Sequence, residues 1–189
     1  MMSRSLCLSG MMGAGKTTVA AVLGRRLGRA VVDTDREIER WTGRSVAEIF
    51  AEGGETAFRE LERQVVVEVA RVPDLVVALG GGTVLRDDTV ADLLLGGVIV
   101  HLDVPVPLLA ERLAPQREDR PLLRPGPDAP PLHEVVEEVL AARRERYAAV
   151  SDLVVDASQD PEGVTERILA WAMEAGDVLT PSEYEQVMT

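Results

Sequence analysis

The sequence predicts an α/β fold, a three-layer sandwich built around a parallel sheet. Short continuous runs of Val, Leu and Ile alternate with helical patterns along the whole chain. These runs are apolar throughout rather than alternating with polar residues, which is typical of strands buried in parallel sheets. The 189 residues and the hydrophobic content of 46% suit one domain with a sizeable core.

Five strands and the helices between them follow in order along the chain. Strands are expected at 5–10, 30–35, 74–82, 97–104 and 153–158. Helical spacing of apolar residues predicts helices at 16–27, 36–42, 45–52, 54–72, 87–95, 105–114, 132–149 and 161–175.

Two segments depart from this alternation. Residues 114–131 are dense in proline and charge, and loops this long inside a domain are usually functional or disordered. We interpret this segment as a mobile lid that carries Arg117, Arg120 and Arg124, with a surface insertion as the alternative. The domain is expected to span 1–175, followed by an acidic, frayed tail at 176–189 without a catalytic role.

The composition excludes several classes of partner. A net charge of −12 and a pI near 4.6 argue against nucleic acid or an anionic membrane, but not against small anions. The N-terminus is too short and polar for a signal peptide, and no apolar run approaches the length of a membrane span, so a cytoplasmic protein is expected. A monomer is the default expectation. Cys7, the only cysteine, and His101 are expected to be buried structural residues.

The stretch GMMGAGKT fits the phosphate-loop pattern G-x-x-x-x-G-K-[ST], with a strand before it and a helix after it. Its glycines permit a tight turn whose N–H groups point at phosphate oxygens, and the following helix adds its positive dipole end. Thr17 offers a hydroxyl to Mg²⁺. The expected nucleotide contacts are Gly13, Ala14, Gly15, Lys16, Thr17 and Thr18.

Lys16 is the only lysine in the chain, and all other basic residues apart from histidine are arginine. The β- and γ-phosphates of a nucleotide require a compact charge inside a narrow loop. An ammonium group meets that requirement, whereas a planar guanidinium is larger. The single lysine at this position therefore indicates that phosphate binding requires an ammonium group here.

Asp33 and Asp35 end the predicted second strand, at the carboxyl edge where open α/β sheets bind ligands. One carboxylate is expected to support Mg²⁺, and the other to bind a substrate hydroxyl and accept its proton. Capping of the next helix by Asp35 is the structural alternative.

The stretch FRELE lies in the predicted helix 54–72, where Glu62 falls within the apolar stripe and Arg59 at its border. The two side chains are neighbours at i and i+3. An arginine held in this way can grip a substrate carboxylate in a bidentate manner, and a purely structural ion pair is the alternative.

Two further features indicate an acceptor site. The glycines of LGGG (79–82) let a substrate approach the backbone closely, unless they form only a flexible turn. Arg143 falls near the centre of the apolar stripe of the helix 132–149, where a buried charge needs a partner. That partner is expected to be an anionic ligand, with an internal acidic residue as the alternative. The sequence has no Cys/His cluster, so no structural metal site is expected.

Together, GMMGAGKTT, DTD, FRELE, LGGG and RPLL occur in the order and spacing of shikimate kinases, and the sequence resembles that family over roughly 5–173. The resemblance implies a nucleoside-monophosphate-kinase-like fold with strand order 2-3-1-4-5. It also implies phosphoryl transfer from ATP, with Mg²⁺, to the 3-hydroxyl of shikimate, in aromatic amino acid biosynthesis.

Position by position, the resemblance assigns shikimate binding to Asp35, Arg59, Gly81 and Arg143. It assigns the ATP phosphates to Lys16, the Mg²⁺ site to Thr17 and Asp33, and the phosphate-reaching lid arginine to Arg120. Lys16, Asp35 and Arg120 are the expected catalytic residues.

The position of the family's adenine-stacking arginine is Leu113 here, so either Arg112 or Arg117 is expected to take that role. Two other functions are compatible with a phosphate loop: a kinase of the same fold acting on gluconate or a nucleoside monophosphate, and a nucleotide-binding module without turnover.

Overall fold

Five parallel strands form one sheet in the order β2-β3-β1-β4-β5 in the computed structural model, which describes residues 3–123, 126 and 129–188. The strands are β1 (Ser5–Ser9), β2 (Val31–Asp33), β3 (Val76–Ala78), β4 (Gly97–Asp103) and β5 (Leu153–Asp156). The α/β class and the strand order that the resemblance implies are therefore confirmed.

Helices cover both faces of this sheet. The chain crosses the sheet in one direction from β1 to β2 and in the other direction from β2 onward. Because each crossover between parallel strands is right-handed, these two directions place their helices on opposite faces. α1 packs with α7 and α8, whereas α3 packs with α4 and α5 packs with α6. The helices are α1 (Lys16–Leu27), α2 (Thr34–Thr42), α3 (Val46–Ala70), α4 (Asp87–Gly96), α5 (Val106–Leu113), α6 (Leu132–Ala149), α7 (Pro161–Ala175) and α8 (Pro181–Met188).

The central strands are buried on both faces, as their continuous apolar runs predict. β1 and β3 are buried at every residue, and β4 at every residue except Asp103. Cys7 lies in this core, where burial raises the pKa of its thiol to about 12, so it is a hydrophobic residue and not a nucleophile. Among the described residues, no helix combines the length and apolar character that crossing a bilayer requires.

A second, smaller core lies between α2 and α3 and consists of Ile38, Ile49, Phe58 and Val65. Phe58 and Val65 belong to the apolar stripe of the predicted helix 54–72. The other stripe residues, Leu61 and Val69, pack against this core while partly buried. Arg59 and Glu62 lie on the same helix as Phe58 and Val65. The packing of the small core therefore fixes the position and rotation of this helix, and with them the direction of both polar side chains.

The second strand is shorter than predicted. Asp35 lies in the first turn of α2 rather than on a strand. The Asp33 side chain accepts hydrogen bonds from the N–H groups of Asp35 and Arg36, which starts the helix at Thr34. The capping residue is therefore Asp33, and the expectation that Asp35 could cap the helix is wrong.

The two helical patterns at 45–52 and 54–72 form one element, α3, that breaks at Gly54, where φ is +68° and ψ is −173°. The described residues of the lid segment 114–131 include two short 3₁₀ helices, Ala114–Asp119 and Pro121–Leu123. Arg124 lies outside the described residues.

The C-terminal segment is docked rather than frayed, which corrects the expectation for 176–189. Glu183 on α8 accepts from Arg29 Nε at 2.7 Å and from Arg29 Nη2 at 2.9 Å, and both side chains are buried. Arg29 also donates to the carbonyl oxygens of Arg4 and Val178. The bidentate pair therefore has the further hydrogen bonds that a buried charge needs.

Replacing Glu183 by Ala should lower the free energy of unfolding by about 3 kcal/mol, because Arg29 would remain as a buried charge without its carboxylate. Chemical denaturation followed by circular dichroism measures this change. Glu185→Ala, an exposed residue of the same helix, is the control and should stay within about 0.5 kcal/mol of the parent. Equal stability of the two variants would contradict a docked C-terminal segment.

Candidate active site

A cleft of about 1040 Å³ opens at the carboxyl edge of the sheet. The loops after β1, β2 and β3 contribute to its wall, as does the lid segment. This is the edge at which open α/β sheets bind ligands. The cleft is also the size expected for small-molecule sites.

The loop between β1 and α1 forms one end of this cleft. Gly10, Gly13 and Gly15 all have positive φ, a backbone conformation that side chains rarely adopt. At Gly10, a Cβ atom would lie 2.9 Å from the Leu102 carbonyl oxygen, so this turn requires glycine. The first turn of α1 has no side-chain cap, as is also the case for α4, α5 and α6. Its N–H groups are therefore available to an anion.

Lys16 lies within this loop and donates to the carbonyl oxygens of Gly10 at 2.9 Å and Met11 at 3.0 Å. Burial lowers the pKa of Lys16 to about 8, and the carboxylates of Asp35 and Asp33 oppose part of that shift. A cation with this little solvation is strongly attracted to a phosphate group.

Thr17 and Asp33 form a pair of oxygen donors beside the loop. Thr17 Oγ1 donates to Asp33 Oδ2 at 2.7 Å. A hydroxyl and a carboxylate oxygen at this separation fit Mg²⁺, which usually takes one or two protein ligands and completes its shell with water and phosphate. Among the described residues there is no cluster of three or more His, Cys, Asp or Glu side chains that could hold a metal.

Asp35 lies deeper in the cleft than Asp33. Its Oδ1 atom is buried, and no hydrogen-bond partner for it is found among the described residues. Burial raises the pKa of Asp35 to about 6, and the nearby Glu62 carboxylate adds to this shift. The carboxylate can therefore accept a hydrogen bond from a ligand and is more basic than an ordinary aspartate.

Arg59 is held at the opposite end of the cleft by two carboxylates. Its Nη1 donates to Glu62 Oε2 at 2.7 Å, and its Nη2 donates to Glu55 Oε1 at 2.9 Å. Burial alone would lower the pKa of Arg59, but these carboxylates raise it above its usual value. Glu62 is 2% exposed and also accepts from Thr83 Oγ1 at 2.6 Å.

Two of the three glycines that follow Leu79, Gly80 and Gly82, pack directly against these polar groups. A Cβ atom on Gly80 would lie 2.6 Å from Glu62 Oε1 and 2.7 Å from Asp35 Oδ1. One on Gly82 would overlap the Arg59 guanidinium. Close packing against the site, rather than flexibility alone, therefore requires glycine here.

Arg143 reaches the cleft from α6 and donates from Nη1 to Gly81 O at 3.3 Å. Arg144, the next residue, is exposed to solvent. The helical pattern predicts this difference between the two arginines. The partner of Arg143 in this contact is a backbone carbonyl, which carries no negative charge and therefore does not neutralise the guanidinium.

The lid segment contributes Arg120 to the cleft. Its Nη2 donates to Gln116 Oε1 at 2.7 Å, while its buried Nε has no partner among the described residues. Its charge lowers the pKa values of both Lys16 and Asp35, although in each case burial is the largest influence. Arg120 therefore lies close enough to act on the same ligand as these two residues.

The two candidate arginines for adenine occupy different positions. Arg112 lines the cleft, and its Nη1 donates to the Gly13 carbonyl oxygen at 3.3 Å. Arg117 instead donates to the carbonyl oxygens of Leu123 and Pro130, at 3.3 Å and 2.6 Å. Arg117 thus connects the two ends of the lid segment.

A family model described as shikimate kinase matches residues 12–173. This chain belongs to the shikimate kinase family. It is therefore an enzyme, a phosphotransferase that acts on an alcohol group. Shikimate kinases from Synechococcus elongatus and Thermobifida fusca are 46% and 43% identical to it. The first alignment covers 87% of this chain and 84% of the relative, and the second covers 94% and 100%.

A solved shikimate kinase from Acinetobacter baumannii, described as a complex with shikimate, superposes with a TM-score of 0.85 at 32% identity. The superposition covers 92% of this chain and 94% of that one. The family's fold thus extends over nearly all of this chain.

Three side chains of this shikimate kinase site were missed by sequence reasoning. Thr34 accepts from Gly80 N–H at 2.9 Å, and Thr83 binds Glu62. Tyr147 donates to Gly81 O at 2.5 Å. The only signal in the sequence was the placement of Tyr147 in the apolar stripe of α6, which predicts burial but not the partner of its hydroxyl.

Proposed function

We propose that this cleft transfers the γ-phosphoryl group of ATP to the 3-hydroxyl of shikimate, giving ADP and shikimate 3-phosphate. The reaction belongs to the pathway that leads to chorismate and the aromatic amino acids. The supporting observation is the division of one cleft between a phosphate loop and a pair of arginines, with the buried carboxylate of Asp35 between them. A family relative whose solved structure is a complex with shikimate supports the same acceptor.

The nucleotide occupies the end of the cleft formed by the phosphate loop. Backbone N–H groups from Gly13 to Thr18 bind phosphate oxygens, because the first turn of α1 carries no side-chain cap. Lys16 exchanges its contacts with the Gly10 and Met11 carbonyl oxygens for phosphate oxygens. Its ammonium group is desolvated beforehand, so this exchange costs little hydration.

Thr17 and Asp33 are the residues that hold Mg²⁺, directly or through its water shell. When bound, Mg²⁺ supplies positive charge to the phosphate oxygens. Asp33 also caps α2 through its other carboxylate oxygen, so its position is fixed before the metal binds.

The acceptor occupies the other end of the cleft. Arg59 and Arg143 bind the carboxylate of shikimate, and the backbone at Gly81 lies against its ring. Glu55 and Glu62 hold Arg59 in a single orientation, so less conformational freedom is lost when the substrate binds.

Asp35 orients the 3-hydroxyl of the acceptor. Its Oδ1 accepts the hydroxyl hydrogen bond and takes the proton as the new O–P bond forms and the bond from the γ-phosphorus to the bridging oxygen breaks. The pKa of about 6 that burial produces makes Asp35 a stronger proton acceptor than an exposed aspartate. Positioning and charge stabilisation supply most of the rate enhancement.

Arg120 stabilises the charge of the transferring phosphoryl group. Its guanidinium lines the cleft and interacts electrostatically with Lys16 and Asp35. Closure of the lid segment over the substrates would exclude water from the reaction.

Arg112, rather than Arg117, is the better candidate for the adenine. Its guanidinium lies against the phosphate loop in the same cleft, whereas the donors of Arg117 bind carbonyl oxygens of the lid segment. A planar guanidinium stacks on an aromatic face, so Arg112 can pack against the base.

We further propose that the enzyme acts as a cytoplasmic monomer, without nucleic-acid or membrane partners. The net charge of −12 supports the absence of these two partners, because both are polyanionic.

Replacing Arg143 by Ala should raise the KM for shikimate at least about tenfold, because a charge-assisted contact to the carboxylate is lost. The KM for ATP should change by less than about twofold. ADP release, measured while each substrate is varied in turn, gives both constants. Arg144→Ala, on the solvent side of the same helix, is the matched control. Equal KM values for shikimate in the two variants would exclude Arg143 from the acceptor site.

Replacing Arg112 by Ala should raise the KM for ATP about threefold to tenfold while the KM for shikimate stays constant, because a stacking contact with the base is lost. Arg117→Ala should affect the KM for ATP less than this. The comparison requires titration of ATP at saturating shikimate. The opposite ranking of the two variants would assign the adenine to Arg117.

A further inference from the structure

Tyr147 is the largest fully buried side chain among the described residues, and its hydroxyl reaches the glycine turn of the active site. Its Oη donates to Gly81 O at 2.5 Å, the same carbonyl oxygen that accepts from Arg143 Nη1. The two residues are four apart on α6, so they lie on one face of the helix. A carbonyl oxygen has two lone pairs, and here two donors from one helix share them.

This arrangement determines the orientation of one peptide group. The peptide bond is planar, so fixing the Gly81 carbonyl also fixes the Gly82 N–H, which points the opposite way. Gly82 lies directly against the Arg59 guanidinium. The peptide between Gly81 and Gly82 therefore lies between the two arginines assigned to the substrate carboxylate. Three consecutive glycines would otherwise leave this peptide free to turn.

His101 supports Tyr147 from the sheet. The two rings are stacked with centroids 4.7 Å apart and an angle of 23° between their planes. His101 Nδ1 lies 3.3 Å from the Oγ atom of Ser9, which is the last residue of β1. Because β1 and β4 are central strands, the imidazole is fixed to the most rigid part of the fold.

The imidazole is also suited to this position by its charge. Burial lowers the pKa of His101 to about 4, with Asp103 opposing and Lys16 adding to the shift. A neutral ring can pack flat against the phenol without placing another cation close to Lys16 and Arg143. A stack of two neutral rings stabilises both rings beyond the area that it buries.

We propose that Tyr147, supported by its stack on His101, is a positioning residue for the substrate carboxylate. Its hydroxyl fixes the Gly81–Gly82 peptide and thereby the spacing of Arg59 and Arg143. This proposal rests on the acceptor assignment made under the proposed function. It assigns neither residue a direct contact with substrate.

The test is Tyr147→Phe, which keeps the ring and removes only the hydroxyl. The KM for shikimate should rise about fivefold, as expected for loss of one buried hydrogen bond. The KM for ATP should stay within about twofold, which a general loss of structure would not produce. Tyr184→Phe is the matched control, since the chain's only other tyrosine also donates to a backbone carbonyl, that of Met173, but its side chain on α8 is exposed. That variant should leave both KM values unchanged.

Two variants of His101 test the stack separately. His101→Phe keeps an aromatic ring against Tyr147 and should retain a KM for shikimate close to that of the parent. His101→Leu removes the stack and should raise this KM in the same direction as Tyr147→Phe. Equal values for the Phe and Leu variants would overturn the role of the stack.

Arg143→Ala, measured in the same assay, separates failure of this inference from failure of the acceptor assignment. If Arg143→Ala raises the KM for shikimate and Tyr147→Phe does not, the positioning role is overturned while the acceptor assignment stands. If neither variant raises it, both are overturned. If Tyr147→Phe raises the KM for ATP as much as the KM for shikimate, the role of the tyrosine is structural and the positioning role is overturned.

Discussion

The parallel register of the central strands is the constraint on which the site depends. Leu8 pairs with Ala78, Ala78 pairs with Asp33, and Ser9 pairs with His101, so β1, β2 and β3 end within one residue of each other and β4 continues only to Asp103. The loops that follow therefore meet at one edge of the sheet. Residues far apart in the chain, such as Lys16, Asp35 and the glycine turn, share one cleft for this reason.

Burial of charge within that cleft explains most of its chemistry. Lys16 and Asp35 both lose hydration, which lowers the pKa of the amine to about 8 and raises that of the carboxyl to about 6. Each group is therefore ready to interact with substrate rather than with water. Arg59 differs from these two groups, because two carboxylates keep its guanidinium charged and fix its orientation. The cleft thus combines reactive groups with fixed ones.

Local patterns in the sequence predicted the elements as far as α7 and most of the residues that line the cleft. The phosphate loop follows from glycine spacing, and the inward direction of Glu62 and Arg143 follows from helical periodicity. The extent of the second strand did not, because Asp33, and not Asp35 as the structural alternative had it, caps α2 and starts the helix at Thr34. The docked C-terminus and the Tyr147 hydroxyl bond were also missed, since Arg29–Glu183 and Tyr147–Gly81 join residues distant in sequence. Periodicity predicts burial but not the partner of a buried polar group.

The most direct test of the account is ADP formation from ATP and Mg²⁺ with shikimate, gluconate or AMP as the acceptor, in the parent enzyme and in Lys16→Ala. The account predicts turnover with shikimate alone and its loss in the variant, because both ends of the cleft are needed. ATP binding without shikimate-dependent turnover, or equal turnover with gluconate or AMP, would contradict the assignment of Arg59, Gly81 and Arg143 to shikimate.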